Sequence, residues 1–244
     1  MNPILWLDSD TPLPDPADAS RHGLLAAGHS LSLPRLKEAY RKGIFPWYQA
    51  GEPVLWWSPD PRMVLPCDHL RVSRSLAKRL RQVARQEEDE QPTMTITTNM
   101  AFEQVMQGCA QPVPGREQTW ITPEIFQVYQ QWHQQGQVHS LEVWRGRRLV
   151  GGLYGVCLGR FFFGESMFTR EPDASKIALS YLIRVLQARG IAHVDCQQDT
   201  PHLRRLGARL YHRSEFLAML EQAQQFDTPA WGRGRVMQSG AILP

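Results

Sequence analysis

One apolar strand that ends on an acid constrains the fold of this chain more than any other feature. Residues 161–163 are three consecutive phenylalanines, and Glu165 follows them after one glycine. Such an aromatic run is typical of a strand that is buried on both faces. The apolar residues of 174–189 recur at helical spacing, and residues 191–197 are again typical of a short strand. A strand, a helix and a second strand of these lengths predict a βαβ unit with parallel strands.

Three polar side chains lie where the two predicted strands end. Glu165 ends the first strand, and Asp195 and Gln197 lie at the end of the second. Ligands of parallel sheets bind beyond the carboxyl ends of the strands, so we expect a site here. Asp195 and Gln197 are two residues apart, and we therefore expect them to face the same way. The alternative is that these residues only form turns or surface ion pairs, and the pattern leaves it open.

The segments around this unit predict a mixed sheet. Two helices and then two further strands precede the phenylalanine strand. The three strands are predicted to form an antiparallel meander that leads into the βαβ unit, which is the core of the acetyltransferase-like α/β fold. The helices are predicted at 100–109, capped by Asn99, and at 123–135, with a loop at 110–119 between them, and the strands at 139–144 and 149–158. We predict an acetyltransferase-like (GNAT-like) α/β domain of the α+β mixed-sheet type over residues 66–244. A small N-terminal domain over residues 1–65 precedes it, and the tail from Asp227 is predicted as a loop.

A basic helix is predicted between Leu70 and Gln86. Its inward face is apolar, and its cations have no acidic neighbour before Glu87, so that no i,i+4 pair neutralises them. A solvated helix face is the usual explanation of such a charge run. The alternative, which we favour, is a surface that contacts phosphates, and its candidate residues are Arg74, Lys78, Arg79 and Arg81.

Aromatic residues interleaved with prolines characterise residues 44–48 and 55–62. Such rigid, flat surfaces either pack a small domain or stack on planar ligands, and packing is the commoner use. Trp47 and Trp57 are candidates to line a site shared with the larger domain, because pockets favour domain junctions.

Charge and composition exclude some classes of protein. The chain has 244 residues, a net charge of +3 and a pI of about 8.8, which is compatible with a polyanionic partner. No apolar run approaches the ~20 residues of a membrane span, the N-terminus lacks the features of a signal peptide, and the four cysteines form no Cys-x-x-Cys pair. We therefore predict a cytoplasmic protein with reduced thiols. The sequence contains no glycine-rich phosphate loop and no metal-spaced ligands, so neither a cofactor nor a metal is expected.

Eight short blocks form a set that runs across most of residues 23–210. They are 23–26 (GLLA), 40–47 (YRKGIFPW), 55–62 (LWWSPDPR), 119–122 (TWIT), 139–144 (HSLEVW), 151–156 (GGLYGV), 164–168 (GESMF) and 195–197 (DCQ). Together, and in this order, they resemble the bacterial leucyl/phenylalanyl-tRNA–protein transferase family.

The resemblance implies a reaction. Leucine, phenylalanine or, less readily, methionine moves from its tRNA to the N-terminal amine of a protein that begins with Arg or Lys, which tags that protein for degradation in the N-end rule pathway. The implied partners are Leu-tRNA, Phe-tRNA and such acceptor proteins, and no membrane. The family has two domains, the larger one with the acetyltransferase-like fold. An aminoacyl-tRNA is already an activated ester, so the transfer needs no ATP, metal or other cofactor.

Three residues receive catalytic roles as hypotheses. Gln197 accepts a hydrogen bond from the attacking amine, and Asp195 orients or polarises Gln197. Glu165, with Asp195 nearby, supplies the negative charge that attracts the Arg or Lys of the acceptor. An α-amine with a pKa near ~7.7–8.0 is already partly neutral at pH 7, so proximity is expected to matter more than strong base catalysis. A hydroxyl group of the tRNA end is the open alternative as proton shuttle.

Two sets of residues are candidates for binding the donor. Leu153, Phe162 and Phe168 are predicted to form the apolar pocket of the aminoacyl side chain, with plain core packing as the alternative. Trp47 and Trp120 are predicted to stack on the terminal adenosine of the tRNA.

Three other functions fit parts of the sequence. An acyl-CoA N-acetyltransferase needs a glycine-containing loop between strand and helix to hold the pyrophosphate, and residues 169–175 contain no glycine. A non-catalytic RNA-binding module explains the basic helix and the tryptophans, but not the three polar residues at the strand ends. A cell-wall aminoacyl transferase would lack the block at 56–59 and typically carries a duplicated domain.

Overall fold

The computed structural model describes residues 4–112 and 119–244, so residues 113–118 of the predicted loop lie outside the described residues. Seven α-helices and thirteen strands are found in the described part. The helices are α1 (Leu33–Arg41), α2 (Arg74–Arg85), α3 (Phe102–Ala110), α4 (Pro123–Gln134), α5 (Ala174–Ala188), α6 (Pro201–Leu206) and α7 (Arg213–Gln224). The strands are β1 (Leu5–Leu7), β2 (Leu24–Gly28), β3 (Phe45–Pro46), β4 (Val54–Trp57), β5 (Arg62–Pro66), β6 (Thr95–Thr98), β7 (Val138–Arg145), β8 (Arg148–Leu158), β9 (Phe161–Thr169), β10 (His193–Gln197), β11 (Arg209–Tyr211), β12 (Gly234–Val236) and β13 (Ile242–Leu243).

Nine strands form one large mixed sheet in the order β11-β5-β10-β9-β8-β7-β6-β12-β13. β7, β8 and β9 form the predicted antiparallel meander, and α5 then leads to β10, which pairs with β9 in parallel. This parallel pairing covers only two positions, Phe162 with Val194 and Phe163 with Asp195. Beyond them the two strands separate. The prediction that Glu165 ends its strand is wrong, because β9 continues along β8 to Thr169 after it leaves β10. The predicted mixed α/β sheet with the acetyltransferase-like order of elements is confirmed.

Helices cover both faces of the large sheet. On one face, Ile177 and Leu182 of α5 and the apolar side of α2 share a core with Phe162. On the other face, α1, α3, α4 and α7 surround the sheet, and Trp132 of α4 shares a core with Phe163. Burial on both faces explains why residues 149–158 of β8 and the three phenylalanines of β9 are continuous apolar runs rather than alternating ones.

A second sheet has four strands in the order β1-β2-β4-β3. Its buried residues Ala26 and Trp56 belong to the same core as Tyr129 and Phe163, so the two sheets are packed together. β5 belongs to the large sheet and runs across the predicted domain boundary between residues 65 and 66. The division into domains at that position stays a prediction.

Two local predictions are wrong. Asn99 does not cap α3: it adopts a left-handed conformation with φ of 57°, and Ala101 is the residue that precedes the helix. The side chain of Asn99 instead accepts from the Ser140 N–H at 3.1 Å and donates to the Gly232 carbonyl at 2.7 Å. The tail from Asp227 is not a plain loop either, since β12 and β13 extend the sheet beyond β6. This added pairing satisfies backbone groups that an open edge at β6 would leave exposed.

Candidate active site

Glu165 is the extra residue of a β-bulge at the point where β9 and β10 separate. The register of β8 with β9 shifts between Tyr154 and Gly155, which leaves Glu165 without a partner across the ladder. Such bulges re-aim a side chain and are common beside active sites. The strands approach so closely here that a Cβ atom on residue 155 would lie 2.2 Å from the carbonyl oxygen of Phe163. Glycine at position 155 therefore makes the bulge possible.

Two buried tyrosines hold the Glu165 carboxyl group. Tyr40 of α1 is hydrogen-bonded to Oε1 at 2.7 Å, and Tyr129 of α4 is hydrogen-bonded to Oε2 at 3.1 Å. Burial raises the pKa of Glu165 to about 8. Asp195 acts in the same direction, while the two tyrosine hydrogen bonds and the cation of Arg62 lower this pKa. The charge of Glu165 therefore changes close to neutral pH.

The geometry around Glu165 also favours its neutral form. The hydroxyl groups of Tyr40 and Tyr129 are hydrogen-bonded to each other, so the two tyrosines and the carboxyl group form a closed ring of three hydrogen bonds. Such a ring needs three protons, of which the tyrosines supply two and a protonated carboxyl group the third. An ionised carboxylate would accept from both tyrosines and leave the contact between them without a proton. Burial and the nearby Glu165 raise the pKa values of Tyr40 and Tyr129, so both stay protonated.

Asp195 is fully buried and ion-paired. Arg62 of β5 donates from Nε to Oδ1 at 2.8 Å and from Nη2 to Oδ2 at 2.7 Å, and the two side chains are 1% and 0% exposed. Asp195 Oδ1 also accepts from the backbone N–H of Gln197 at 2.9 Å. The negative charge of Asp195 is thus matched inside the protein, and Asp195 lines none of the cavities described below.

Gln197 is turned by a second bulge. The register of β10 with β5 shifts between Asp195 and Gln197, and Gln197 has a left-handed φ of 55°. The prediction that these two side chains face the same way is therefore wrong, because the bulge interrupts the alternation of the strand. The Nε2 atom of Gln197 is buried and has no hydrogen-bond partner among the described residues. A buried amide without a partner is costly in the free protein and is a natural donor to a ligand.

Three cavities adjoin one another in this region, and Gln197 lines two of them. The apolar cavity, of about 250 Å³, lies between β9, β10 and α5 and is lined by Leu65, Leu153, Tyr154, Gly164, Glu165, Ser166, Met167, Leu179, Leu182, Val194, Cys196, Gln197, Thr200, His202 and Leu203. The junction cavity, of about 170 Å³, is lined by Phe45, Pro46, Trp47, Trp120, Glu165, Cys196, Gln197 and Gln198. The tryptophan cavity, of about 360 Å³, is lined by Trp47, Tyr48, Gln49, Glu52, Leu55, Trp57, Thr119 and Trp120.

The three cavities lie in a row, and each neighbouring pair shares wall residues. The apolar cavity and the junction cavity share Glu165, Cys196 and Gln197. The junction cavity and the tryptophan cavity share Trp47 and Trp120. The predicted site residues Glu165, Gln197, Trp47 and Trp120 are thus brought together, although they are far apart in sequence.

Of the three residues predicted for the aminoacyl pocket, one lines a cavity and two do not. Leu153 lines the apolar cavity. Phe162 lies on no cavity wall named above: it is fully buried and stacks on Trp231 with ring centroids 5.6 Å apart. Phe168 is likewise absent from these walls, and a Cβ atom on Gly108 would lie 2.8 Å from its ring. Both phenylalanines therefore contribute packing, and Met167 is the apolar side chain that β9 contributes to the cavity wall.

The four candidate cations of α2 also lie in two different environments. Arg74, Lys78 and Arg81 are exposed and lie on the side of the helix opposite its buried residues Leu76, Leu80 and Val83. Arg79 instead lies 3.6 Å from the Asp173 carboxylate and donates to the Pro172 carbonyl. Arg79 thus ties α2 to the loop before α5.

The loop between β9 and α5 carries two carboxylates that are held by cations. Glu171 is paired with Arg145 at 2.8 Å and also with Arg148, and Asp173 is paired with Lys176 at 3.0 Å. Negative charge at the start of a helix suits the helix dipole. The same charge would repel a pyrophosphate at the place where an acyl-CoA acetyltransferase binds one.

Tyr40, Tyr129 and Arg62 contact the candidate site residues Glu165 and Asp195, and the sequence did not predict them as part of the site. Tyr40 and Arg62 lie within the family-like blocks at 40–47 and 55–62, which was the available signal. Tyr129 lies on an ordinary amphipathic helix and gives no local signal. In the described ranges, no three histidine, cysteine or acidic residues are grouped as metal ligands would be, and no helix there is long and apolar enough to cross a membrane.

Comparison with known proteins gives a consistent result. A family model described as leucyl/phenylalanyl-tRNA protein transferase matches residues 64–221, and one described as the N-terminal domain of the same transferase matches residues 29–60. The leucyl/phenylalanyl-tRNA–protein transferases of Bordetella petrii and Bordetella bronchiseptica are 51% and 50% identical to this chain, each over 98% of it and 95% of their own length. A solved GCN5-related N-acetyltransferase from Sphaerobacter thermophilus covers 81% of this chain and 59% of its own, at 15% identity and a TM-score of 0.38. That likeness is too weak to carry an argument, so the fold assignment rests on the order of the elements.

Proposed function

Because the chain belongs to the leucyl/phenylalanyl-tRNA–protein transferase family, we infer that it transfers leucine or phenylalanine from aminoacyl-tRNA to the N-terminal Arg or Lys of acceptor proteins. It is an aminoacyltransferase with tRNA as donor, and its products enter the N-end rule pathway. The structural observation that carries this function is the wall of Glu165 and Gln197 between the apolar cavity and the junction cavity. Donor and acceptor can meet across that wall. Charged tRNA is a cytoplasmic substrate, so we place the reaction in the cytoplasm.

The apolar cavity is assigned to the aminoacyl side chain. Its volume of about 250 Å³ lies just below the range of roughly 300–1,000 Å³ for small-molecule sites, which suits a single side chain. The aliphatic part of its wall consists of Leu65, Leu153, Met167, Leu179, Leu182, Val194 and Leu203. A charged side chain would lose its hydration against this aliphatic part of the wall. One methylene is worth only ~1–3 kcal/mol in such a pocket, so leucine and phenylalanine are both accepted.

Glu165 is assigned to the acceptor. Its carboxyl group forms part of the wall of the junction cavity, where an arginine or lysine side chain would come into contact with it. An adjacent cation lowers the pKa of a carboxyl group, so acceptor binding would draw the proton off Glu165. The ionised form then makes a charge-assisted hydrogen bond, which is about twice as strong as a neutral one. An N-terminal alanine has no side-chain cation to pair with this carboxylate.

Gln197 is assigned to the attacking amine. The amine nitrogen forms a bond to the ester carbonyl carbon, the bond from that carbon to the ribose oxygen breaks, and the proton lost by the amine replaces the amino acid on the ribose. The side-chain amide of Gln197 lies on the wall between the two cavities, where its oxygen can accept from the amine. Asp195 acts on this step through the backbone N–H of Gln197, since its own carboxylate is bound to Arg62. Orientation of this kind lowers the barrier without a strong base.

The remaining contacts are assigned to the tRNA. Trp47 is 42% exposed, and with Trp120 it offers ring faces to the terminal adenosine. Trp57 extends this surface, because its ring lies 5.6 Å from that of Trp47 and its Nε1 donates to the Trp47 carbonyl at 2.7 Å. The exposed cations of α2 are assigned to phosphates of the tRNA backbone and are Arg74, Lys78 and Arg81.

The test is transfer of labelled leucine from Leu-tRNA by the purified protein without ATP. Two peptides that differ only in an N-terminal Arg or Ala serve as acceptors. We expect label on the Arg peptide alone. Binding of Leu-tRNA without transfer to either peptide would contradict an enzymatic function and favour a tRNA-binding one.

A further inference from the structure

Arg62 is a buried cation held by three separate segments besides β10. It ends the aromatic and proline-rich segment 55–62 and is 1% exposed. Its Nη1 atom donates to the carbonyl of Gly43, in the turn after α1, at 3.1 Å. The guanidinium lies 4.8 Å from the ring centre of Phe45 in β3 and 4.5 Å from that of Phe216 in α7. This setting suits the flat, delocalised charge of arginine and not the compact charge of lysine.

One oxygen atom of Asp195 connects the Nε–H group of Arg62 with the backbone of Gln197. Asp195 Oδ1 accepts from Arg62 Nε at 2.8 Å and from the backbone N–H of Gln197 at 2.9 Å. Gln197 has a left-handed φ of 55°, which is unfavourable for a residue with a side chain and persists only where its surroundings hold it. Arg62 fixes Asp195 by two parallel hydrogen bonds, and Asp195 fixes the backbone of Gln197.

We propose that Arg62 is a positioning residue for aminoacyl transfer: through Asp195 it holds Gln197 in the conformation that presents its amide to the cavity wall. The proposal rests on the role assigned to Gln197 in the proposed function. Arg62 lines none of the three cavities, so it acts only through this chain of contacts. The proposal also gives the segment 55–62 a role, because its last residue places a guanidinium beside β10.

The first test compares Arg62→Lys with Arg213→Lys. Arg213 of α7 is a matched control because it donates to the carbonyl of Ser58, in the same segment, at 2.7 Å and has no contact with Asp195. Lysine cannot make the two parallel hydrogen bonds, so Gln197 loses its fixed orientation. We expect kcat to fall about 100-fold, as for a misplacement of about 1 Å. The KM for Leu-tRNA should stay within about twofold, and Arg213→Lys should keep the wild-type kcat.

The decisive comparison combines Arg62→Lys with Gln197→Ala. If Arg62 acts through Gln197, its substitution causes no further loss of kcat once the amide is gone. Losses that multiply would show a general structural effect and overturn this inference alone. A Gln197→Ala variant with wild-type kcat would instead overturn the role of Gln197 in the proposed function, and this inference with it.

A second variant and a second readout cover the case in which Arg62→Lys does not fold. Phe216→Leu removes one aromatic face of the guanidinium and leaves every charge in place. We expect a smaller loss of kcat, again absent in the Gln197→Ala background. The backbone amide of Gln197 should exchange its hydrogen faster than in the wild type in either variant. Exchange at the wild-type rate would contradict the proposed chain of contacts.

Discussion

Replacing Glu165 by Gln should remove one pH-dependent step from acceptor recognition. The substitution keeps the size of the side chain and its contacts with Tyr40 and Tyr129. It removes the carboxylate that we assign to the Arg or Lys of the acceptor. The ionised form of Glu165 binds the cation and prevails above its pKa, so recognition by the wild type should improve as the pH rises through about 8.

The raised pKa gives the size of the effect. With a pKa of about 8, the ionised fraction of Glu165 rises from about 9% at pH 7 to about 76% at pH 8.5, or about eightfold. The acceptor α-amine, with a pKa near ~7.7–8.0, gains about sixfold in its neutral fraction over the same range. For the wild type, kcat/KM at limiting acceptor should therefore rise about 50-fold. For Glu165→Gln only the amine titrates, and the rise should be about sixfold.

The assay measures initial rates with saturating Leu-tRNA and a limiting peptide with an N-terminal Arg. Spontaneous hydrolysis of the aminoacyl ester is subtracted with reactions that lack enzyme, because it also increases with pH. A peptide whose N-terminus is acetylated serves as the second control. If both proteins show the same pH profile, the carboxylate of Glu165 does not receive the acceptor cation, and the reasoning fails.

Three further outcomes follow from the structure. Burial holds the pKa of Glu165 above its value in the unfolded chain, so Glu165 ionises in the unfolded chain at a lower pH than in the folded protein. As the pH rises from 5 to 8, the wild type should therefore lose stability relative to Glu165→Gln, measured as the difference in Tm. Met167→Ala should lower kcat/KM for Leu-tRNA at least about tenfold, because it enlarges the apolar cavity. Phe162→Leu changes a residue away from that cavity, so it should lower Tm and leave the ratio of leucine to phenylalanine transfer unchanged. Replacing the three exposed cations Arg74, Lys78 and Arg81 by Gln should reduce the slope of log K for tRNA against log salt by roughly two to three, while Arg79→Gln should leave that slope unchanged; equal slopes for both would contradict the assignment.

The central fold was predictable because it depends on long apolar patterns. The phenylalanine strand, the helix at α5 and the strand β10 each bury apolar residues at a clear spacing, and their order sets the topology. The small sheet was harder to predict, since β2 and β4 are short and β3 has only two residues. Edge pairing by β12 and β13 depends on where β6 lies, and local sequence does not carry that information.

The site was predictable as a set of residues but not as a geometry. Glu165, Asp195 and Gln197 stand out because each follows an apolar run in the sequence. Two bulges then change their directions, and a bulge depends on register with the neighbouring strand, as at Gly155. The partners of these residues come from distant segments, so Arg62 could not be matched with Asp195 by spacing. Aromatic residues such as Phe162 fit a pocket and a core equally well until the neighbouring helix is in place.

The most direct test of the whole arrangement is a crystal structure with a non-hydrolysable analogue of the donor, in which an amide joins leucine to the 3′ position of adenosine. We predict the leucine side chain in the apolar cavity beside Leu153 and Met167, its carbonyl carbon at Gln197, and the adenine on Trp47 or Trp120. A leucine side chain bound anywhere outside the apolar cavity, or an adenine away from both tryptophans, would contradict the assignment of the cavities.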